Sequence, residues 1–256
     1  MKSSAKPLLP ALAVCVCGTI GLTPAAQAAE LTVSAAASLT NAFKEIAQDY
    51  EARFPDAKVR LNFGASGALL AQMAKGAPVD VFASADQSTM DKAEKQGLIR
   101  AHVRETFAAN SLVLIVPVDS KLQLKEPGDL GRESVQKIAI GNPASVPVGH
   151  YTRQTLESAG LWDIVAPKAI NTQNVRQSLN YVVRGEVDAG FVYGTDASVM
   201  KDKVEVGFEM PTDTPITYPI AYTTQTSNTA EAKRFIDYVL SPAGQAVLAK
   251  YDFKKP

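Results

Sequence analysis

The sequence predicts an α/β protein of two lobes joined by two strands, with a cleft between the lobes. Short apolar runs alternate with amphipathic stretches of about ten to sixteen residues, which favours strands and helices in alternation. Two strand-like apolar runs, Ser111–Pro117 and Thr217–Tyr222, bracket a self-contained α/β stretch from about 118 to 214. The chain would therefore cross twice between a discontinuous lobe and a continuous one.

The individual elements follow from periodicity. Strands are predicted at Leu31–Ser34, Lys58–Asn62, Val79–Ala83, Leu112–Val116, Lys137–Ile140, Ala166–Ile170, Ala189–Tyr193, Val204–Glu209 and Ile216–Tyr222. Helices are predicted at Leu39–Arg53, Ala68–Lys75, Gln87–Gln96, Tyr151–Ala159, Val175–Arg184, Ala230–Leu240 and Pro242–Lys250. In the first helix, Ala42, Phe43, Ile46, Ala47 and Tyr50 have the spacing of one buried stripe.

Three segments are predicted from this order. Residues 1–28 are an export signal, residues 29–110 and 218–256 form lobe 1, and residues 111–217 form lobe 2. Two lobes joined by two strands are the usual plan of proteins that close on a ligand by a hinge motion. A single doubly wound domain is the alternative that the pattern leaves open.

The N-terminal segment has the three parts of a secretory signal. Lys2 and Lys6 precede an apolar run from Leu8 to Leu22, and Ala26-Gln27-Ala28 is a small-residue cleavage site. The run is shorter than the ~20 apolar residues of a spanning helix and is interrupted by proline and glycine. We therefore expect a cleaved, periplasmic protein. A lipoprotein-like signal before Cys15 is the weaker alternative.

Composition excludes several classes. The chain's two cysteines, Cys15 and Cys17, lie in the leader, so the mature protein would have no disulfide, thiolate metal site or cysteine nucleophile. Removing the leader takes two of 26 basic residues and none of 26 acidic ones, which leaves no basic excess for nucleic acid. No nucleophile elbow, zinc-protease motif, P-loop or dinucleotide fingerprint occurs, so an enzyme is not expected.

The functional signal lies at five junctions between a strand and the next helix. Ligands of open α/β sheets bind beyond the carboxyl ends of strands, and helix starts offer N–H donors to anions. The candidate residues share a position at these junctions and are Ser38, Ser66, Val148, Val175 and Tyr193. None of the five junctions places Arg or Lys at its tip, since Arg153 and Arg176 lie inside their helices. The pattern predicts an anion held by uncharged donors.

Each junction has an ordinary alternative. Ser38 can cap its own helix, and Ser66 can belong to a turn with a cap. Asn174 can cap the helix that begins at Val175, and Tyr193 can be a satisfied surface group. His150 is expected to be a solvated histidine at a helix start, because no nucleophile or carboxylate lies at a motif spacing from it.

At these junctions the chain resembles the periplasmic molybdate-binding proteins of bacterial molybdate importers. The segments that carry the resemblance are AAASLTNAFKEIA (35–47), FGASGALLAQMAKGAPVDVFASAD (63–86), GNPASVPVGHYTRQTL (141–156), NVRQSLNYVVRGEVDAGFVYGTDA (174–197) and SPAGQAVLAKYDF (241–253). They follow the family's order and cover the mature chain. The resemblance implies the type II periplasmic-binding-protein fold.

The resemblance also implies roles for the candidate residues. Ser38 and Ser66 would give hydroxyl and amide donors, Val148 and Val175 backbone amides, and Tyr193 its phenol. Val148 stands where the family usually has alanine, which should alter the pocket wall more than the hydrogen bond. No residue would ligate the metal directly, since the contacts go to its oxo groups.

The implied function is capture of molybdate or tungstate by a monomer, without a cofactor, and delivery to a membrane permease with a cytoplasmic ATPase. Selection against sulfate would come from cavity size, and selection against phosphate from the lack of an acceptor for its proton. Asp196 is near enough to leave the phosphate argument open. The alternatives are a binding protein for another oxyanion such as sulfate, a carboxylate or iron, a hydrolase or transferase on this scaffold, and a sensor domain.

Overall fold

The computed structural model describes residues 29–256 together with Met1. Residues 2–28, which carry most of the predicted leader with its cleavage site, Cys15 and Cys17, lie outside the described residues. The strands of the described part are β1 Ala29–Ala36, β2 Ala57–Gly64, β3 Val81–Ala83, β4 Glu105–Asn110, β5 Leu112–Pro117, β6 Ile138–Gly141, β7 Ala169–Thr172, β8 Ala189–Tyr193, β9 Val204–Met210 and β10 Ile216–Tyr222.

The helices of the same part are α1 Thr40–Arg53, α2 Ser66–Ala74, α3 Gln87–Lys95, α4 Pro147–Ser158, α5 Trp162–Val165, α6 Val175–Val183, α7 Gly194–Val199, α8 Thr229–Leu240 and α9 Pro242–Lys250. A 3₁₀ turn, Ala37–Leu39, joins β1 to α1. The predicted stripe of α1 is confirmed, because Ala42, Phe43, Ile46, Ala47 and Tyr50 are all buried.

The strands form two five-stranded sheets. The first has the order β2-β1-β3-β10-β4 and the second the order β7-β6-β8-β5-β9. The first three strands of each order are paired in parallel. The fourth strand, β10 or β5, pairs antiparallel with both of its neighbours. We call the first sheet with helices α1–α3, α8 and α9 the first lobe, and the second sheet with α4–α7 the second lobe. The two-lobed α/β fold is confirmed.

The chain passes between the sheets at two places. Residue Ser111 alone separates β4 in the first sheet from β5 in the second, and residues 211–215 separate β9 from β10. Each of the two runs predicted as crossovers forms a strand of one sheet, and the chain changes sheet immediately before it. The exact lobe boundaries, at 110/111 and 217/218, stay a prediction.

Sequence patterns failed at short or mixed elements. Strand β4 (ETFAAN) was not predicted, because it has neither regular alternation nor a long apolar run. Helix α7 (GTDASV) begins with glycine and has six residues, and α5 has four, too few for helical periodicity to show. Within residues 29–256, no helix is both long and apolar enough to cross a membrane.

Candidate functional site

The first lobe brings two predicted serines to one edge of its sheet. Strands β1 and β2 are parallel and end in register, with Ala36 opposite Gly64. Ser38 follows in the 3₁₀ turn, and Ser66 is the first residue of α2. The adjacent alanines and Gly64 leave the chain narrow here, so a ligand can approach the backbone.

The second lobe repeats this arrangement. Strands β6 and β7 end in register, with Gly141 opposite Thr172. Helix α4 begins at Pro147 and α6 at Val175, so Val148 and Val175 lie in first helical turns. The N–H groups of a first turn have no acceptor within their own helix and are available to an anion.

Glycine is required where α4 approaches its sheet. A Cβ atom on Gly149 would lie 1.7 Å from the carbonyl oxygen of Gly141, far inside any van der Waals contact. The start of α4 can therefore lie directly over the end of β6, which brings the N–H of Val148 to the edge of the sheet.

The five candidate residues line one cavity between the lobes. The space open to the centre of a water-sized sphere is about 10 Å³, close to the smallest volume that holds one water-sized group. Its walls are Ala36, Ala37, Ser38, Gly64, Ala65, Ser66, Ala85, Val146, Pro147, Val148, Asn174, Val175 and Tyr193. None of these described lining residues has a charged side chain. The cavity suits a small ion that takes hydrogen bonds from both lobes.

The two serines are buried, and neither caps a helix. The Ser38 Oγ atom lies 3.1 Å from the Tyr218 hydroxyl, and Ser66 Oγ accepts a hydrogen bond of 3.0 Å from the backbone N–H of Ala85. Because Ser66 already accepts from a backbone amide, its own hydroxyl hydrogen remains for another acceptor. The capping alternatives for both serines are wrong.

Asn174 caps α6, which is the alternative that the sequence left open at this junction. Its side-chain oxygen accepts a hydrogen bond of 3.0 Å from the N–H of Gln177. The cap serves a later N–H of the first turn, so it does not compete for the N–H of Val175.

Tyr193 ends β8 and turns its hydroxyl inward. The residue is 1% exposed, and within residues 29–256 the hydroxyl has no hydrogen-bond partner. The alternative of a satisfied surface group is therefore wrong. Burial raises the pKa of this phenol well above its usual value, with smaller contributions from neighbouring tyrosines and carboxylates. Tyr193 thus keeps its hydrogen and can donate it.

A charged pair lies behind the cavity wall. Arg176 Nε is 2.5 Å from Oδ1 of the fully buried Asp196, although the two atoms are not aligned as a hydrogen bond. The same guanidinium donates across the lobes to Asn41 Oδ1 at 2.8 Å and to the Ser38 carbonyl at 3.2 Å. The cation is thereby engaged on both sides without lining the cavity.

Asp196 does not line the cavity either. Burial raises its pKa to about 6, and Arg176 opposes that shift only in part. With its carboxylate held by Arg176, it is poorly placed to accept a proton from a ligand. His150 is exposed, as predicted. No group of three or more His, Cys, Asp or Glu side chains that could hold a metal ion occurs in the described part of the chain.

Sequence reasoning missed the residues behind the first contact layer. Tyr218, Asn110 and Arg176 approach Ser38 through contacts between residues 108 to 180 positions apart in the chain. Tyr218 is fully buried in β10, and its position within an apolar strand gave no sign of a polar role.

Two α/β lobes that enclose a small cavity of uncharged donors define the class of extracellular solute-binding proteins. The chain belongs to this class, because the model of the family "Bacterial extracellular solute-binding protein" matches residues 31–254. The matched relatives are binding proteins, so the prediction that this chain is not an enzyme is confirmed.

Within this class, the chain is similar to several molybdate-binding proteins. The chain is 35% identical over 238 residues to the molybdate-binding protein ModA of Escherichia coli, covering 89% of this chain and 90% of the relative. It is 32% identical over 232 residues to ModA of Haemophilus influenzae, covering 89% and 91%. The solved periplasmic molybdate-binding protein of Azotobacter vinelandii is similar with a TM-score of 0.77 and 25% identity, over 88% of this chain and 99% of that one. The predicted resemblance to molybdate-binding proteins is confirmed.

Proposed function

We propose that this protein captures molybdate or tungstate between its lobes and presents it to an ABC-type membrane permease. The observation that carries the proposal is the small cavity between the lobes, on which hydroxyls and helix-start amides converge and in which no lining side chain of the described residues is charged. The molybdate-binding relatives support this choice of ion.

The donors are sufficient for tight binding. Ser38, Ser66 and Tyr193 offer hydroxyls, and Val148 and Val175 offer backbone amides. Hydrogen bonds to a charged group contribute about 1.5–3 kcal/mol each. Five such bonds, less the costs of desolvation and ordering, are consistent with an affinity of about −8 to −12 kcal/mol, which corresponds to micromolar to nanomolar Kd.

Uncharged donors also suit a protein that must release its cargo. An empty cavity lined by hydroxyls and amides leaves no unpaired buried charge, whose cost would be several kcal/mol. Phosphate keeps a proton near neutral pH and needs an acceptor for it. Asp196, engaged by Arg176 behind the wall, does not supply one.

Calorimetric titration of residues 29–256 with molybdate, tungstate, sulfate and phosphate tests the proposal. We expect micromolar or tighter binding of molybdate and tungstate, and sulfate and phosphate weaker by at least about a hundredfold. Tight binding of sulfate without a response to molybdate would overturn the choice of ion in favour of the sulfate alternative.

We further propose that the protein works as a monomer in the periplasm after removal of residues 1–28, and that the permease it serves is driven by a cytoplasmic ATPase. The leader pattern and the family support export. Mass spectrometry of the protein from a periplasmic extract should give a chain that begins at Ala29 or Glu30. An intact Met1, or a lipid on Cys15, would contradict this form of export.

A further inference from the structure

A chain of polar groups, half-buried at Asn110 and fully buried at Tyr218 and Ser38, runs from the passage between the lobes to the ligand cavity. Asn110 is the last residue of β4, next to the point where the chain changes sheet. Its side-chain nitrogen lies 3.1 Å from the Tyr218 hydroxyl, and that hydroxyl lies 3.1 Å from Ser38 Oγ. Tyr218 and Ser38 are 0% and 2% exposed, so the contact between them is shielded from water, whereas Asn110 is half-buried.

The orientation of the Asn110 amide is fixed by its surroundings. Its oxygen accepts hydrogen bonds from the backbone N–H groups of Ser111 at 3.0 Å and Thr195 at 3.4 Å. A backbone N–H can only donate, so the oxygen must face it and the amide nitrogen must face Tyr218. The same nitrogen donates to Thr195 Oγ1 at 2.9 Å.

The donor and acceptor capacities of these groups favour one direction for the next hydrogen bond. The amide nitrogen of Asn110 has hydrogens and no acceptor capacity, so the Tyr218 oxygen accepts from it. Either hydroxyl can donate across the 3.1 Å contact between Tyr218 and Ser38 Oγ. Donation by Tyr218 gives its hydrogen a partner inside a fully buried site, which is the arrangement we infer. Once Ser38 accepts this hydrogen, its own hydrogen must point elsewhere, and Ser38 lines the cavity.

We propose that Asn110 and Tyr218 are positioning residues that turn the Ser38 hydroxyl hydrogen into the cavity, where an oxyanion accepts it. The inference rests on the proposed function, since it gives a reason for Ser38 to meet the ion as a donor. Hydrogen bonds arranged head to tail polarise one another, which strengthens the last donor. The Ser66 hydroxyl hydrogen is likewise left for another acceptor, because Ser66 Oγ accepts a hydrogen bond directly from the Ala85 N–H.

Asn110 connects this setting to both lobes. Tyr218 and Ser38 belong to the first lobe, whereas Thr195 is the second residue of α7 in the second lobe, two residues after Tyr193. One amide therefore holds the orienting tyrosine of one lobe and the helix that follows the phenol of the other.

A double-mutant cycle with molybdate tests the role of Tyr218. Tyr218→Phe removes the orienting hydroxyl and little packing, and we expect it to weaken binding about three- to tenfold in the native background. In the Ser38→Ala background the same change is expected to alter affinity less than twofold, because Tyr218 acts through Ser38. Equal losses in both backgrounds, or no loss in the native one, would overturn the proposal.

Tyr238→Phe is the matched control. It deletes a phenol of the first lobe that is largely buried in α8 and does not line the cavity. We expect its affinity to equal that of the unchanged protein. A loss at Tyr238 as large as that at Tyr218 would mean that the cycle reports general loosening of the lobe, and would overturn the proposal.

Proton NMR of the unliganded protein tests the direction without any ion. The Tyr218 hydroxyl proton should be protected from exchange and give cross-relaxation to the β protons of Ser38, and Asn110→Ala should abolish this preference. A proton found on the side away from Ser38 would contradict the inference. If the unchanged protein bound no molybdate, the proposed function would fail while this measurement still decided the direction.

Discussion

Replacing Tyr193 by phenylalanine is expected to weaken molybdate binding without destabilising the unliganded protein. The change deletes one oxygen from a side chain that is 1% exposed and packs edge-on against Tyr218, with ring centroids 5.9 Å apart. The ring and its packing stay. The two effects of the deletion, on binding and on stability, therefore separate.

The magnitude follows from what the hydroxyl does in each state. Bound to a dianion, it would make a charge-assisted hydrogen bond of about 1.5–3 kcal/mol, so its loss should raise Kd about 10- to 150-fold. Without a ligand, the hydroxyl has no partner among residues 29–256. Removing a buried, unsatisfied hydroxyl costs nothing and can recover part of a ~1–3 kcal/mol desolvation penalty.

Calorimetric titration gives the Kd, and urea unfolding with and without molybdate gives the stability. We expect an unfolding free energy equal to or above that of the unchanged protein when the ion is absent, and a smaller gain when it is added. An affinity within twofold of the original would refute the assigned role of the phenol. A loss of more than about 1 kcal/mol of unliganded stability would refute the account of an unsatisfied hydroxyl.

Three further changes probe the cavity and the charges behind it. Ser66→Ala should cost about 1.5–3 kcal/mol of molybdate affinity by calorimetry, and an unchanged Kd would count against its role as a donor. Gly67→Ala puts a Cβ 2.6 Å from the carbonyl oxygen of Ser145 in the opposite lobe, and this clash should weaken molybdate binding at least tenfold. Gly128→Ala is the control, because its Cβ would have no atom within 4 Å, and it should leave molybdate affinity unchanged. Burial raises the pKa of Asp196 to about 6, so between about pH 4 and 6 the folded protein keeps a proton on this carboxyl group that the unfolded chain has released. The free energy of unfolding should therefore fall by on the order of 3 kcal/mol as the pH rises through this range. Asp196→Asn should flatten that fall in urea titrations, and an unchanged slope would assign it to another group.

Local pattern predicted most elements that place the site, but not every helix start. Helix α2 begins at Ser66 rather than Ala68, and α4 begins at Pro147 rather than Tyr151, because these first turns lack the apolar periodicity on which the prediction rested. The end of a strand and the start of a helix are encoded within a few residues, and the small residues around Ser38 and Ser66 mark close backbone approach. The register of β1 with β2 and of β6 with β7 then brings separate junctions to one edge of each sheet. These junctions line one cavity in the folded chain.

The sequence could not show which groups support the lining residues. Whether Ser38 caps its helix or bonds Tyr218 depends on how β10 packs, and the two residues are 180 positions apart. The engagement of Arg176 by Asp196 and by the Ser38 carbonyl likewise requires the lobes to be in place. Such contacts arise from tertiary structure, which propensity and periodicity do not describe.

The contacts of Arg176 explain why a cation next to the predicted anion site does not line the cavity. Arg176 follows Val175 directly, yet its charge is directed away to Asp196 and Asn41. The arginine thereby joins the two lobes, and under the proposed function the ion would meet only uncharged donors.

A crystal structure of residues 29–256 grown with molybdate, with diffraction data collected at the molybdenum absorption edge, tests the central claim most directly. We expect one strong anomalous peak between the lobes, with its oxygens within hydrogen-bond distance of the Ser38, Ser66 and Tyr193 hydroxyls and of the Val148 and Val175 amides. A peak that contacts a single lobe, or that lies against a lysine or arginine side chain, would contradict the account.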